Sequence, residues 1–212
     1  MRAAHRQPRD RFAQLLKFEG GWVDDPADPG GATNLGITLS TFQHYAHPLL
    51  GVAPTLANLR ALDAAQAGAI YRKIYWDPID GDAIELQFLA EIVFDFSVNA
   101  GFHAIALLQQ LLGPPLTANG RFGPQTLGAL QRADQAALYA RYRQGRIDYY
   151  RNLAGTHPVL RRFLSGWLNR VLWFPPQAPS NAAATPGKAN NGPGRWAASS
   201  IFDAVSGSRT TT

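Results

Sequence analysis

Two carboxylates and a hydroxyl near the start of the chain are spaced in a way that could support acid and base chemistry. Glu19 precedes Asp28 by nine residues, and Thr33 follows five residues later. An extended chain could separate the two acids by roughly 30 Å, but a chain that folds back would bring them face to face. Two carboxyl groups across a gap are what hydrolysis of a glycosidic bond needs, since one acts as the acid and the other activates water or attacks the sugar.

Glu19 is expected at the end of a helix. Apolar residues recur at helical spacing over residues 12–19, and the glycine pair at 20–21 then ends the helix. Phe18 and Trp22 flank Glu19 and can exclude water from its carboxyl group, which favours the neutral form that a general acid needs. Glu19 is therefore the candidate acid.

The segment that follows the candidate acid predicts a fold-back. Residues 25–31 are Asp, Pro, Ala and Gly, and their turn preferences allow residues 22–23 and 34–37 to form a short hairpin. Such a hairpin would return Asp28 and Thr33 toward the acid, with backbone N–H groups favouring the ionised form of Asp28. The alternative interpretation is a polar surface loop whose acids only make turns.

The same segment carries a resemblance to a known family. Residues 19–22 read Glu-Gly-Gly-Trp and residues 28–38 read Asp-Pro-Gly-Gly-Ala-Thr-Asn-Leu-Gly-Ile-Thr, which closely resembles the signature of glycoside hydrolase family 108. Members of that family are N-acetylmuramidases that cut the glycan of bacterial peptidoglycan, and the resemblance implies that Glu19 is the acid. The segment is also similar to the Glu, Asp and Thr triad of phage-type lysozymes, with Thr33 one residue nearer than in that pattern. The substrate-binding candidates within the signature are Trp22 and Asn34.

A second group of candidates lies on a helix predicted over residues 84–99. This helix is apolar around most of its circumference, but Glu91, Asp95 and Asn99 recur every four residues and form one polar stripe. Because buried carboxylates without partners are costly, the stripe is expected to face water or a cleft. The run at residues 94–101 also looks like the end of the central helix of family 108. That resemblance implies that Asp95 or Asn99 lies near the cleft and helps to bind substrate.

Other helix boundaries can be read from capping residues and prolines. Thr38 or Ser40 can cap a helix that Pro48 is expected to end, and Asp63 can cap the next helix. Two histidines on the first of these helices, at positions 44 and 47, could begin a zinc site, but no third ligand follows at a recognisable spacing. We therefore expect no metal, and no organic cofactor either.

A later turn resembles a second kind of module. Residues 119–126 read Asn-Gly-Arg-Phe-Gly-Pro-Gln-Thr, and Pro124 is well placed to start a helix. The octet resembles the Asp-Gly-x-Phe-Gly-Pro-x-Thr motif of small helical peptidoglycan-binding modules, with Asn119 in place of the usual aspartate. The resemblance implies a turn and a helix cap within a peptidoglycan-binding-like lobe.

Composition and length indicate the fold class. With 212 residues and 46% hydrophobic content, the chain can bury one good core or two small lobes. We expect a mainly α, lysozyme-like fold, with a small β-hairpin beside the catalytic cleft and a helical C-terminal lobe. The predicted domains are a catalytic lobe at 1–100, a peptidoglycan-binding-like lobe at 101–174, and a Pro/Gly/Ala/Ser-rich tail at 175–212.

The chain has no cysteine, so neither a disulfide framework nor a cysteine-rich metal site is available. Residues 1–11 are basic and polar with no apolar stretch behind them, which is unlike a secretory signal peptide. We therefore expect synthesis in the cytoplasm and action in the periplasm or cell wall after release by a holin or a secretion route.

Charge is unevenly placed along the chain, whose formal net charge is +5. Between Arg132 and Arg170 there are eight arginines against two aspartates. Such an excess favours attraction to a polyanion, here an anionic cell wall or outer-membrane surface, although a solvated helical face is the alternative. No nucleic-acid motif accompanies the charge, so nucleic acid is not an expected partner.

These observations lead to one preferred function and several rivals. The chain is expected to be a monomeric enzyme that hydrolyses β-1,4 bonds of the peptidoglycan glycan, with Glu19 as acid, Asp28 activating water, and Thr33 holding that water. Asp25 is the reserve candidate for the second carboxylate, since it lies in the same turn. The rivals are a lytic transglycosylase, a chitosanase or chitinase, and a non-catalytic wall-binding module.

Overall fold

The computed structural model describes residues 21–24 and 31–178. Within them the chain is mainly α, with one small two-stranded antiparallel sheet, which confirms the predicted fold class. The fold divides into two compact units, of which unit 1 ends at Pro78 and unit 2 begins at Ile79. None of the described helices has both the length and the apolarity needed to cross a bilayer.

Unit 1 is built from a hairpin and short helices. Its described elements are β1 (Thr33–Asn34), β2 (Ile37–Thr38), α1 (Leu39–Leu50), α2 (Leu56–Arg60) and α3 (Ala64–Tyr71), followed by a π-helical turn at Arg72–Trp76. Helix α1 packs against α3, and α2 packs against β1. Phe42, Ile70 and Trp76 are buried in its core, and this packing supports the hairpin.

Capping residues begin the helices of unit 1 as the sequence predicts. The Thr38 hydroxyl accepts a hydrogen bond from the backbone N–H of Thr41, and Asp63 forms a reciprocal capping box with Gln66. The contact of Thr38 ties the end of β2 directly to the start of α1.

The predicted end of α1 at Pro48 is wrong, because the helix continues through this residue to Leu50. A proline inside a helix removes one hydrogen bond, but here it lies in the last turn, so only the final residues of the helix follow it. Gly51 ends the helix instead. Its φ is 68°, and its N–H donates to the carbonyl of His47 at 3.1 Å.

Unit 2 is a helical bundle. Its α-helices in the described part of the chain are α4 (Gln87–Ala100), α5 (Phe102–Leu112), α6 (Pro124–Arg132), α7 (Gln135–Thr156) and α8 (Leu164–Leu172). Short 3-10 helices occupy Gly81–Ala83 and Pro158–Phe163. Proline begins α6 as the sequence predicts, because the first position of a helix has no intrahelical use for an N–H.

Helix α4 lies at the centre of unit 2, against α5 and α7, while α8 packs on α7. The rings of Phe96 and Tyr142 meet edge to face inside the bundle, and the Tyr142 hydroxyl donates to the carbonyl of Ala104 at 2.8 Å. After α8 the chain stays against α7, because Arg143 donates to the carbonyl of Phe174 and Tyr139 to that of Pro175. The hydroxyls of Tyr139 and Tyr142 and the Nε of Arg143 therefore each have a carbonyl partner.

The domain boundaries at 100/101 and 174/175 stay predictions. Compact packing divides the chain between 78 and 79, which reflects how α4 packs rather than where a sequence module ends. Most of the predicted tail, from residue 179 onward, lies outside the described residues.

Candidate active site and ion network

The fold-back predicted for the first segment is present in unit 1. Val23 and Thr33 form an antiparallel bridge in which each backbone N–H donates to the other residue's carbonyl at 2.8 Å. Thr33 also pairs with Thr38 across the hairpin. The backbone at residue 33 is therefore paired on both sides, with Val23 and with Thr38. Glu19, Asp28 and the reserve Asp25 lie outside the described residues.

Thr33 lies between Val23 and Thr38 in this arrangement. Its side chain is half-buried, and among the described residues its hydroxyl makes only a long contact of 3.5 Å, to the carbonyl of Gly31. A hydroxyl can both donate and accept, and this one keeps most of that capacity unused. The geometry is compatible with a residue that orients a water molecule.

The hairpin is held by a buried amide. Asn34 is 6% exposed, and its side-chain nitrogen donates to the carbonyls of Leu59 at 2.9 Å and Arg60 at 3.0 Å, at the end of α2. The amide nitrogen is thereby committed within the protein. Asn34 was a candidate for substrate binding, and that prediction stays untested, but the contacts assign it a positioning role.

The hairpin turn contains a leucine in a left-handed conformation, and a tyrosine hydroxyl bonds to the carbonyl of that leucine. Leu35 and Gly36 have φ values of 50° and 73°, the combination of a two-residue turn that matches strand twist. A left-handed conformation costs a leucine roughly 1–2 kcal/mol. The Tyr71 hydroxyl donates to the carbonyl of Leu35 at 3.2 Å, so α3 helps to fix the turn.

Trp22 lies next to the bridge and is half-buried. The guanidinium of Arg60 lies over its ring, 5.3 Å from the centroid, which is within the range of a cation–π contact. Because Arg60 also offers its carbonyl to Asn34, one residue links the ring and the hairpin. Trp22 is partly exposed, and its role as a substrate-binding residue stays a prediction.

The polar stripe of α4 faces the interior of unit 2, which corrects the expectation that it would face water or a cleft. The Asp95 carboxylate pairs with Arg146 at 2.6 Å and with Arg170 at 3.0 Å. The side chains of Arg146 and Asp95 are 0% and 13% exposed. A buried carboxylate is costly without partners, and the two partners of Asp95 come from α7 and α8.

The other members of the stripe are also bonded internally. The Tyr150 hydroxyl donates to the side-chain oxygen of Asn99, and Gln87 donates to the carboxylate of Glu91 at 3.0 Å. Arg146 bonds the same Tyr150 hydroxyl and lies over the ring of Phe96. Substrate binding by Asp95 and Asn99 stays a prediction, and their described contacts are structural.

Charge sets the protonation state within this network. Burial acts to raise the pKa of Asp95, but the charges of Arg170 and Arg146 outweigh it and hold the pKa below its usual range. Asp95 is therefore ionised at neutral pH.

Sequence reasoning missed Arg146 as a core residue. It was counted among the arginines of a basic surface, whereas it is fully buried. A signal was present, because Arg146 lies four residues after Tyr142 and four before Tyr150, on the apolar side of α7. Arg170, which is 16% exposed, also belongs to the network rather than to an open surface.

Comparison with known sequences shows what the chain is similar to. Residues 12–101 match the sequence model of the family described as glycosyl hydrolase 108. Residues 103–172 match a second family, described as a predicted peptidoglycan domain. The resemblance noted from the residues 19–22 and 28–38 is thus confirmed, and the glycosyl hydrolase 108 region contains the whole hairpin.

A solved structure has a similar fold. The structure of Brucella abortus SagA aligns with a TM-score of 0.56 and 28% sequence identity, covering 82% of this chain and 99% of that one. No curated protein matches the chain. This similarity supports a mainly α, lysozyme-like fold for the chain.

The octet at residues 119–126 lies within the peptidoglycan domain. Its turn is organised by Gln109 of α5, whose amide donates to the carbonyl of Arg121 at 2.9 Å and accepts from the N–H of Gly120 at 3.0 Å. Asn119 accepts from the N–H of Arg121, as the usual aspartate could. The replacement of aspartate by asparagine therefore preserves the turn.

Proposed function

We propose that the protein is an N-acetylmuramidase that hydrolyses the β-1,4 bonds of the peptidoglycan glycan. The observation that carries the proposal is the succession of two matches on one chain, glycosyl hydrolase 108 at 12–101 and a peptidoglycan domain at 103–172. The first region would supply the chemistry and the second would hold the polymer.

The proposed roles follow the requirements of glycoside hydrolysis. Glu19 protonates the leaving oxygen, Asp28 activates water, and Thr33 orients that water. The Val23–Thr33 bridge supports this assignment, because it joins the two ends of the segment to which Asp28 belongs and leaves the Thr33 hydroxyl largely unused.

Asp25 is the alternative to Asp28 as the second carboxylate. If Asp28 is correct, Asp28→Asn should lower turnover by roughly 10²–10⁴-fold, the usual contribution of general acid–base catalysis, while Asp25→Asn should be mild. Turnover of purified sacculi by both variants checks this. An exchange of the two phenotypes would transfer the role to Asp25.

The proposed mechanism inverts the configuration of the anomeric carbon. A water between carboxylate and sugar requires the two carboxyl groups to be roughly 6.5–9.5 Å apart, whereas direct attack requires about 5–5.5 Å. The sequence predicts Glu19 at a helix end and Asp28 in a separate turn, and this expectation favours the wider spacing. Early NMR spectra of a soluble muropeptide oligomer should show the α anomer first, and a β anomer appearing first would make Asp28 a nucleophile.

Mass spectrometry of the products separates the proposed function from its rivals. A muramidase leaves reducing N-acetylmuramic acid ends on digested sacculi, and a lytic transglycosylase leaves 1,6-anhydro ends. A chitinase or chitosanase would cut its own polymer and leave sacculi intact, and a binding module would release nothing. Products with reducing ends are expected, and any of the other three outcomes would overturn the proposal.

The proposed place of action is the periplasm or cell wall, where the polymer lies. A phage endolysin released through a holin and a bacterial muramidase that serves a secretion route are both consistent with this activity. We expect a monomer whose exposed arginines in unit 2 are attracted to the anionic wall or outer-membrane surface.

A further inference from the structure

A pocket of about 300 Å³ opens in unit 2, between α5 and the loop that leads into α6. All of it lies within the region that matches the peptidoglycan domain. Its volume is at the lower end of the range of roughly 300–1,000 Å³ that is usual for sites of small ligands. A short peptide segment or a single small molecule would fill it.

The wall of the pocket is held in shape by the protein itself. Gln109 is 2% exposed, and its amide nitrogen lies 2.9 Å from the carbonyl of Arg121 and 3.1 Å from the hydroxyl of Thr126. Its oxygen accepts from the N–H of Gly120, so both ends of one buried side chain fix the loop. Because the wall is already ordered, the protein loses less conformational entropy when a ligand binds.

The lining has the chemistry of a site for a polar, negatively charged ligand. Among the described residues that line it, Arg121 carries the charge, and no aspartate or glutamate is present. Arg121 is exposed, and no carboxylate in the described part of the chain pairs with its guanidinium. Phe122 and Leu116 add half-buried apolar surface, and Gln125 adds an exposed amide.

We propose that this pocket binds the stem peptide of peptidoglycan, with a peptide carboxylate on the Arg121 guanidinium. Stem peptides are short and carry free carboxylates beside small methyl side chains, which suits one cation flanked by modest apolar surface. The inference rests on the proposed function only in taking peptidoglycan as the polymer. It adds a peptide-reading site, separate in sequence from the hydrolase signature at 19–38.

Isothermal titration calorimetry of the full chain with a purified stem tetrapeptide tests this assignment. The wild-type protein should bind one peptide, and Arg121→Ala should weaken binding at least about tenfold, because it removes a charge-assisted hydrogen bond. The matched control is Arg132→Ala, which removes an equal charge from an exposed position on α6 outside the lining and should leave binding unchanged. Equal affinities for the two variants would overturn the assignment.

A second variant adds a bulky side chain at a glycine that lines the pocket. Gly123 lines the pocket with φ −148°, precedes a proline, and would have nothing within 4 Å of an added Cβ. Extended backbone before proline accepts any side chain, so Gly123→Leu should fold normally and lose peptide binding. Retained binding by a folded Gly123→Leu protein would contradict the pocket as the site.

Failure of this inference can be told apart from failure of the proposed function. Cleavage of peptide-free glycan together with no heat on peptide titration would overturn the pocket assignment and leave the muramidase intact. Peptide binding without cleavage of any glycan would support the pocket and overturn the hydrolase. Binding of a peptide-free disaccharide that Arg121→Ala abolishes would show that the pocket reads sugar, and would overturn the peptide assignment.

Discussion

Asp95 is the residue with the largest expected effect on stability among those described. Asp95→Asn should lower the free energy of unfolding by about 3–5 kcal/mol, because it leaves Arg146 and Arg170 without a compensating charge in a buried site. Calorimetric or chemical unfolding measures the loss. The control is Asp77→Asn, whose partners Arg72 and Lys73 are well exposed, and whose cost should be at most about 1 kcal/mol. Equal costs for the two variants would contradict the account of the network.

The same residue predicts a pH dependence. Since the pKa of Asp95 is lower in the folded protein than in the unfolded chain, its ionised form contributes stability fully at neutral pH. The contribution should shrink as the pH falls below about 4, the ordinary range of an aspartate, and vanish below the depressed folded value. The stability difference between wild type and Asp95→Asn should therefore narrow in acid. A constant difference between pH 7 and pH 3 would show that the carboxylate's charge is not the cause.

Arg146 also shows where residue-level prediction from sequence stops. The residue types and the helical period of α7 can be read from the sequence. Whether Arg146 is buried, however, depends on the carboxylate of Asp95, which lies 51 positions away in the chain. Charge counting treats every arginine alike, so it assigned Arg146 and Arg170 to the surface. Only the packing of α4, α7 and α8 reveals that both face Asp95.

At the scale of elements, the hairpin depends on Asn34. Asn34→Ala should destabilise unit 1 by about 1–3 kcal/mol, because the carbonyls of Leu59 and Arg60 lose their donor in a buried place. Turnover of sacculi should fall with it, since Thr33 would no longer be held in register. Asn58→Ala is the control, because Asn58 bonds an exposed carbonyl of Ala53 and should cost much less. A fully active and stable Asn34→Ala protein would remove the hairpin from the positioning of the site.

Local signals predicted the starts of elements better than their ends. Thr38, Asp63 and Pro124 begin helices for reasons contained in a few neighbouring residues. Pro48 and Gly51 are both residues that can end a helix. Local rules predicted that α1 ends at Pro48, but it ends at Gly51, which has a left-handed conformation. The fold-back at Thr33 was predictable because six of the seven residues at 25–31 are Asp, Pro or Gly, which favour turns.

At the scale of the molecule, the proposed attraction to anionic walls must come from arginines other than Arg146. Neutralising Arg141, Arg151 and Arg162 together, all of which are exposed, should weaken binding to sacculi and flatten its dependence on salt. Cosedimentation at low and high ionic strength measures both effects. Unchanged binding at low salt would favour a merely solvated helical face.

The family boundary and the packing boundary of the chain do not coincide. The glycosyl hydrolase 108 match extends to residue 101, whereas unit 2 begins at Ile79, because α4 packs against α5 and α7. The boundary at residue 101 follows the sequence pattern of the family, whereas the boundary at residue 79 follows the packing of the chain. We therefore expect a fragment that ends near residue 100 to expose the apolar face of α4 and to aggregate.

The central claim is that Glu19 is the acid of a peptidoglycan hydrolase, and its replacement by glutamine tests that claim most directly. The amide cannot donate a proton to the leaving oxygen, and general acid catalysis contributes roughly 10²–10⁴-fold. The measurement is the rate at which wild type and Glu19→Gln create new reducing ends in purified sacculi, with unfolding curves confirming that both are folded. The account predicts that the variant keeps its fold and its binding to sacculi but loses nearly all turnover. A folded variant that retains more than about a tenth of the wild-type rate would remove Glu19 from the mechanism.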